Sequence, residues 1–179
     1  MVWTAPMTAV ANTIFTAAQF NTFVRDNLNE TAPAKLTAGS RYIVSTGINA
    51  ITQRECFNDT VATSESTAST SFTDLATLGP GVSTFTGTKA LVSIACRFQS
   101  DTVNSAVVAG FEVSGASSIP AADAMSVILD GVAANNSLRY GITTLSTGLT
   151  PGLNTFLMKY RVGSAIGTFS LREIVVFPF

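Results

Sequence analysis

Apolar and polar residues alternate along several stretches of the chain, and this alternation restricts the fold more than any other feature of the sequence. Five apolar residues take every second position of the first stretch: Ala90, Val92, Ile94, Cys96 and Phe98. The same period recurs in two later stretches: Val107, Ala109, Phe111 and Val113, then Phe156, Met158, Tyr160 and Val162. Because successive side chains of a β-strand point to opposite faces, each stretch predicts a strand with one buried face.

Turn-forming residues separate these stretches and predict an antiparallel arrangement. Such turn signals lie at residues 79–81, 86–87, 115–120, 135–136 and 150–152. A last long strand is predicted over residues 168–177. About seven to nine short strands separated by turns indicate a two-sheet β-sandwich, with a jelly roll as the leading topology. The predicted fold class is therefore mainly β, an antiparallel jelly-roll-like sandwich preceded by a short helix and a small hairpin.

A helix-start signature lies well before the sandwich. The hydroxyl of Thr16 can cap a helix, and the side chain of Gln19 can bond back to the Thr16 backbone N–H. Phe15 and Phe20 flank the cap with the spacing of a hydrophobic staple. These residues predict a helix over residues 17–29.

Three segments follow from these patterns. Residues 1–30 form an N-terminal segment with the helix, residues 31–55 form a linker and a β-hairpin, and residues 56–179 form the sandwich. Pro33 marks the linker, because proline ends a helix and biases the preceding residue toward extended geometry. The Ser- and Thr-rich residues 63–71 are predicted to form a hairpin loop within the sandwich.

The low charge of the chain favours assembly. Only 12% of residues are charged, against roughly 25% in ordinary soluble proteins. Such a chain is either a tightly packed monomer with a Ser and Thr surface or a protein that buries much of its surface against other chains. We favour assembly, since low charge and apolar patches mark interfaces.

Charge and hydropathy also exclude two classes of partner. The net charge is −1 and the ten basic residues are scattered, so the basic stripe of a nucleic-acid-binding protein is absent. No apolar run reaches the length of about 18 residues that spans a bilayer, so membrane insertion is not expected.

The residue types that carry most catalysis are missing or dispersed. The chain has no histidine, which removes the commonest general base and most zinc and iron ligand sets. Cys56 and Cys96 are too few for a zinc site; a disulfide between them stays open, and Cys96 is more simply a small core residue. We therefore expect no enzyme, no cofactor and no metal site. The strand-borne Arg161 and Arg172 are expected to be solvated or interfacial charges.

Glycan binding is the functional alternative that composition does not exclude. Sugars stack on exposed aromatic rings, and Tyr140 and Tyr160 are the candidates within the sandwich. Each residue also has an ordinary explanation as part of the core or rim of a sandwich. The single tryptophan, Trp3, lies outside the domain, which weakens this alternative.

One face of the predicted helix is apolar. Phe20, Phe23, Val24 and Leu28 recur near the spacing of a helical stripe. This face either packs on the chain's own β domain or docks on a larger structure, and periodicity alone favours neither.

The N-terminal segment resembles that of structural proteins of tailed bacteriophages, especially phages of actinobacteria. The shared pattern is Trp3, residues 16–18 (Thr-Ala-Ala), Phe20, residues 21–22 (Asn-Thr) and residues 25–28 (Arg-Asp-Asn-Leu). Residues 41–54 are similar to the short hairpins that follow such segments in tail-fibre proteins. Further marks of this group lie at residues 78–82, 113–116, 148–155, 159–162 and 172–178.

The resemblance implies a virion protein, assembled in the host cytoplasm, that attaches to other virion proteins through its N-terminal segment. The expected apolar contacts are Trp3, Phe15, Phe20, Phe23, Val24 and Leu28, while Arg25 and Asp26 supply polar register. The sandwich is expected to project as a homo-oligomer, with a trimer favoured, as in a short tail fibre. A capsid decoration or head-fibre protein is the nearest alternative, and a module that binds a host surface glycan is the alternative from another class.

Overall fold

A computed structural model describes residues 3–131 and 133–179. Residues 1, 2 and 132 lie outside the described part, and the first two positions of the expected 1–30 segment fall there. The chain divides into two compact units: the first ends at Glu55, and the second is Cys56–Pro178.

The first unit contains the helix and the hairpin. Helical geometry runs through three consecutive pieces, which are α-helical at Ala17–Phe20, π-helical at Asn21–Arg25 and α-helical again at Asp26–Leu28. Strands β1 (Arg41–Gly47) and β2 (Ala50–Glu55) form a two-stranded antiparallel sheet. The predicted helix and hairpin are therefore confirmed.

The linker differs from the prediction in one respect. A second helical turn, Ala32–Lys35, carries Pro33 in its first turn, with Thr31 as its extended N-cap residue. Proline is tolerated there because the first N–H groups of a helix have no partner within the helix. The extended geometry expected before Pro33 is thus wrong, because the proline starts a new helical turn.

The second unit consists of two antiparallel sheets. Its strands are β3 (Phe57–Val61), β4 (Glu65–Thr67), β5 (Gly81–Thr86), β6 (Lys89–Ser100), β7 (Val107–Gly115), β8 (Val127–Leu129), β9 (Ser137–Thr147), β10 (Gly152–Val162) and β11 (Gly167–Pro178). One sheet has the order β3-β11-β6-β9, with β4 also paired to β11, and the other has the order β5-β10-β7-β8. A short 3₁₀ turn at Asp123–Met125 precedes β8.

The strand pairs are nested as in one long hairpin. β7 pairs with β8, β6 with β9, β5 with β10 and β3 with β11, and every pair is antiparallel. Rolling this hairpin on itself adds the pairs β7–β10 and β6–β11 and closes two facing sheets. This strand order is that of a jelly roll, so the predicted fold class is confirmed.

The predicted alternation builds the core. The inward residues of β6, β7 and β10 are almost completely buried and pack between the sheets. Phe169 of β11 meets Phe98 at a ring-centroid distance of 5.8 Å and Tyr160 at 4.9 Å. Cys96 is buried in this core and carries a free thiol, whose pKa burial raises to about 12. Cys56 is also free, so the two cysteines are not joined.

A β-bulge changes which residues of β11 face the core. Leu171 and Arg172 together stand opposite one residue of β6, and Leu171 has a positive φ of 48°. The extra residue shifts the alternation by one position. Phe169 and Ile174 therefore both face inward, Leu171 is exposed, and Arg172 points into the sandwich.

The Ser- and Thr-rich residues 63–71 are not the simple hairpin loop that the sequence predicts. Within them, β4 continues the line of β3 and pairs with β11. The chain then crosses to the other sheet, where Thr73 bridges Tyr160 of β10. The segment is thus a connection between the two sheets, since β5 begins only at Gly81.

Candidate functional site

Local hydrogen bonds start the N-terminal helix as the sequence predicts. The Thr16 hydroxyl accepts a hydrogen bond from the Gln19 N–H at 3.2 Å, and the Gln19 side-chain oxygen accepts one from the Thr16 N–H at 2.9 Å. The rings of Phe15 and Phe20 meet edge to face with centroids 6.2 Å apart. Both the capping box and the staple contact are present, which places the first helical residue at Ala17.

The π-helical turn changes the apolar stripe. Its wider geometry at Asn21–Arg25 rotates the residues that follow relative to a regular helix. Phe23 and Val24 are half-buried, whereas Leu28, one turn further on, is exposed. The four predicted stripe residues therefore do not share one covered face.

Asn27 hydrogen-bonds the helix to the extended residues that precede it. Its buried side chain accepts a hydrogen bond from the Thr4 N–H at 2.9 Å and donates one to the Thr4 carbonyl at 2.8 Å. It also donates to the Phe23 carbonyl at 3.0 Å. Sequence reasoning missed this residue, although a polar side chain within an amphipathic helix needs a partner if it becomes buried. We call this arrangement the Asn27 clamp.

The clamp helps to position Trp3, whose backbone N–H donates to the Asn49 carbonyl at 3.3 Å. The tryptophan side chain is exposed. Arg25 and Asp26, the two predicted polar residues, pair with each other, and the Arg25 Nε donates to Asp26 Oδ1 at 2.8 Å. Arg25 and Asp26 thus form a local ion pair.

Four of the six apolar residues predicted to anchor the chain are exposed, namely Trp3, Phe15, Phe20 and Leu28. Others were not identified from the sequence, because they lie outside the helix and follow no period. Ile14 is 87% exposed, Ile48 at the hairpin turn is 91% exposed, and Val10 is also exposed. A groove of about 330 Å³ lies along this part, lined by Met7, Ala9, Val10, Thr13, Ile14 and Phe15.

The first unit has almost no core of its own. Among the described residues up to Glu55, Val44 is the one large apolar side chain that is buried, and the other buried side chains, Asn27 and Glu30, are polar. Short isolated helices and two-stranded hairpins are marginal in water. Because the sequence predicts an anchoring role for these residues, we call the exposed apolar surface of residues 3–28 the anchoring surface.

The two glycan-binding candidates lie in different environments. Tyr160 is fully buried, its hydroxyl donates to the Gly79 carbonyl at 2.9 Å, and burial raises the pKa of its hydroxyl. It has no ring face for a sugar, so its proposed glycan contact is wrong. Tyr140 is 51% exposed and keeps an accessible ring.

Arg172 is also not the surface charge that the sequence predicts. Its guanidinium is completely buried, bonds the Glu65 carboxylate at 3.0 Å, and donates to the carbonyls of Thr77 and Gly79, each at 3.2 Å. Hydrogen bonds from the Thr77 hydroxyl and N–H, together with Arg172, hold the pKa of Glu65 below its usual range. Arg172 therefore ties the connection between the two sheets to β11.

The described residues contain neither a metal-binding cluster nor a membrane-spanning helix. No group of three or more His, Cys, Asp or Glu side chains among them is placed to hold a metal ion. No helix in the described part of the chain is both long and apolar enough to cross a membrane.

Comparisons with known proteins give matches among solved structures only. No protein-family model and no curated protein matches the chain. The VP2 subviral particle of infectious bursal disease virus matches 74% of this chain and 36% of its own, with 10% identity and a TM-score of 0.48. The Gx strain of the same virus matches with the same coverage and identity and a TM-score of 0.46.

A third match is the C-terminal CBM6 of LamC, a marine laminarinase from Zobellia galactanivorans. It matches 80% of this chain and 94% of its own, with 11% identity and a TM-score of 0.25. The chain spans about a third of the length of the virus proteins that it matches. At these identities and TM-scores the likenesses assign no function.

Proposed function

We propose that this chain is a non-enzymatic virion structural protein of a tailed phage, docked on the particle through its anchoring surface and projecting its jelly roll outward. The observation that carries this proposal is the contrast between the two units. The jelly roll has a complete apolar core, whereas the first unit exposes large apolar side chains and buries almost none. Large apolar patches of this kind mark interaction sites.

The form of the anchoring surface suits a partner with apolar pockets. Trp3, Phe15 and Phe20 are large, rigid side chains with few rotatable bonds, and such residues dominate the energy of protein interfaces. The capping box and the Asn27 clamp fix the backbone that carries them. Less conformational freedom is then lost on docking. The resemblance of residues 3–28 to phage structural proteins makes another virion protein the proposed partner.

Self-association of the jelly roll is the second part of the proposal. β9 is the last strand of its sheet, has eleven residues and pairs with β6 without interruption. It contains no Lys or Pro, and its single charge, Arg139, is paired with Glu173 at 2.8 Å. Long unprotected edges of this kind pair readily with other chains. A neighbouring copy can cover this edge, and we propose a trimer.

Removing residues 1–29 tests the docking role. The truncated protein should keep a cooperative unfolding transition and the circular-dichroism signal of a β protein. It should be missing from purified particles when it replaces the full chain in a phage that lacks its own copy. Normal incorporation of the truncated protein into particles would falsify the docking role.

A point variant gives a finer test of the same surface. Phe20→Asp places a charge on the anchoring surface and should reduce incorporation strongly. Phe85→Asp is the matched control, since Phe85 is also an exposed phenylalanine but lies on β5 of the jelly roll. Equal effects of the two variants would show that any added charge, wherever it lies, disturbs assembly.

The copy number on the particle separates the two structural alternatives. A short fibre is present in a handful of copies, whereas a capsid decoration protein is present in hundreds. Quantitative mass spectrometry of purified particles, with a known capsid protein as the standard, gives this number directly.

A further inference from the structure

A cleft of about 620 Å³ lies on the outer face of the β5-β10-β7-β8 sheet of the jelly roll. Residues 70–74 and Pro120–Ala121 line it together with Glu112, Lys159 and Arg161. Its volume falls within the range of about 300–1,000 Å³ typical of small-molecule sites. This cleft lies in the second unit, whereas the anchoring surface lies in the first.

Backbone hydrogen bonds hold one wall of the cleft in place. Thr73 and Tyr160 exchange two hydrogen bonds of 2.9 Å, and the Val162 N–H donates to the Ser69 carbonyl at 2.8 Å. Tyr160 faces the core, so the neighbours of its partner Thr73 point to the outer face. Phe72 and Asp74 thus stand on the same side of the sheet as Lys159 and Arg161.

Donors and acceptors alternate across the cleft. Lys159 Nζ bonds both oxygens of Asp74 at 2.8 Å and lies 3.0 Å from Glu112 Oε1. Arg161 bonds Asp123 at 2.7 Å, and its guanidinium carbon lies 5.4 Å from the centre of the Phe72 ring.

Burial favours the neutral form of Lys159, but its two carboxylate partners outweigh this effect and raise the pKa of its ammonium group. The ammonium group therefore stays charged at any physiological pH. Its three N–H donors bond the two oxygens of Asp74 and Glu112 Oε1, so Lys159 positions these two carboxylates at the cleft.

The fold does not need these ion pairs of Lys159 and Arg161 for its stability. Exposed ion pairs contribute little to the stability of a protein. The wall is already held by three backbone bonds. In a chain with only 12% charged residues, five charged side chains are nevertheless gathered around this one cleft: Asp74, Glu112, Asp123, Lys159 and Arg161.

We propose that this cleft binds a neutral sugar residue of a glycan. Each sugar hydroxyl is both a donor and an acceptor, so neighbouring hydroxyls can donate to Asp74 and accept from Arg161, whose guanidinium has five N–H donors. Phe72 offers an aromatic ring for the apolar face of the sugar. The three carboxylates outnumber the two cations, which disfavours sialic and uronic acids and selects neutral sugars.

Sugar binding is a function beyond the structural role proposed above, and either can fail without the other. Docking depends on residues 3–28, whereas the cleft is built from residues of the jelly roll. It also differs from the glycan contact expected from the sequence, since Tyr140 lies on β9 and Tyr160 is buried beneath the sheet.

Binding is tested with the full chain on an array of neutral and sialylated glycans, followed by calorimetric titration with the strongest neutral oligosaccharide. Asp74→Asn and Arg161→Met should each weaken binding roughly ten- to hundredfold, as expected when a hydrogen bond to a charged group is lost. Ala121→Trp fills the cleft and leaves every ion pair intact, so it should abolish binding without lowering the unfolding temperature.

Two matched controls decide between sites. Arg139→Gln breaks an equally short ion pair on the other sheet and should leave binding unchanged. Tyr140→Ala should also leave binding unchanged, and a loss of binding in this variant would overturn the proposal in favour of the β9 surface. The absence of binding to every neutral glycan, or full binding by Ala121→Trp, would also overturn it.

Discussion

Replacing Arg172 with methionine tests whether a buried cation closes the jelly roll. Arg172 has no exposed surface, and its guanidinium bonds the Glu65 carboxylate and two backbone carbonyls from the connection between the sheets. It also lies over the Tyr160 ring at 5.5 Å. Methionine keeps most of the side-chain volume and removes all of these polar contacts.

The expected loss of stability follows from the burial of the pair. Breaking a buried ion pair by removing one partner destabilises a protein by roughly 3–5 kcal/mol, because the other charge is left uncompensated. The Glu65 side chain retains 14% of its exposure and can turn toward water, which places the expected loss at the lower end of that range. The free energy of unfolding should thus fall by about 3 kcal/mol for Arg172→Met.

Urea unfolding of the full chain measures this loss. With a slope of about 1–3 kcal/mol per molar urea, the midpoint should fall by roughly 1–3 M. Arg139→Met is the matched control, because its partner Glu173 lies at 2.8 Å and both side chains are exposed. The control should lose at most about 1 kcal/mol.

A double variant separates the ion pair from the rest of the network. Combining Arg172→Met with Glu65→Leu removes both charges and should recover part of the loss, since no buried carboxylate is left alone. If Arg172→Met loses no more stability than Arg139→Met, the buried ion pair does not stabilise the closure of the jelly roll.

The Asn27 clamp, the Glu65 carboxylate and the β9 edge can each be tested by one substitution. Asn27→Ala removes the bonds that hold Thr4, so amide hydrogen exchange of residues 3–5 should become about tenfold faster. Asn29→Ala is the control, and equal exchange in both variants would contradict the clamp. Hydrogen bonding holds the pKa of Glu65 in the folded state below its ordinary value of 4.5, so the stability that it contributes is present at neutral pH and is lost as the pH falls below that value. Glu65→Gln should therefore flatten the acid limb of a plot of urea midpoint against pH, and an unchanged limb would contradict this assignment. Leu145→Lys places a charge on the β9 edge and should shift the mass measured by sedimentation equilibrium toward the 18.7 kDa monomer, whereas the equally exposed Leu153→Lys on β10 should not; identical masses for both variants would exclude β9 as the contact.

Some features of the structure were predictable because they depend on neighbours in sequence. The capping box joins Thr16 to Gln19, three residues away, and its geometry needs no tertiary contact. The alternation at Ala90 to Phe98 predicts one buried face, because the pleat of a strand sets which side chains share a side. The Asn27 clamp was not predictable in this way, since its partner Thr4 is 23 residues distant.

Local sequence patterns are enough to predict a capped helix followed by strands with one apolar face, because helix caps and the period of a strand are local properties of the backbone. The polar residues that enter the core depend instead on long-range packing. The bulge at Leu171 turns Arg172 inward, and the crossing of residues 62–80 from one sheet to the other covers Tyr160 and brings Asp74 beside Lys159. Contacts of this kind join residues far apart in the chain, so no local period or spacing in the sequence predicts them.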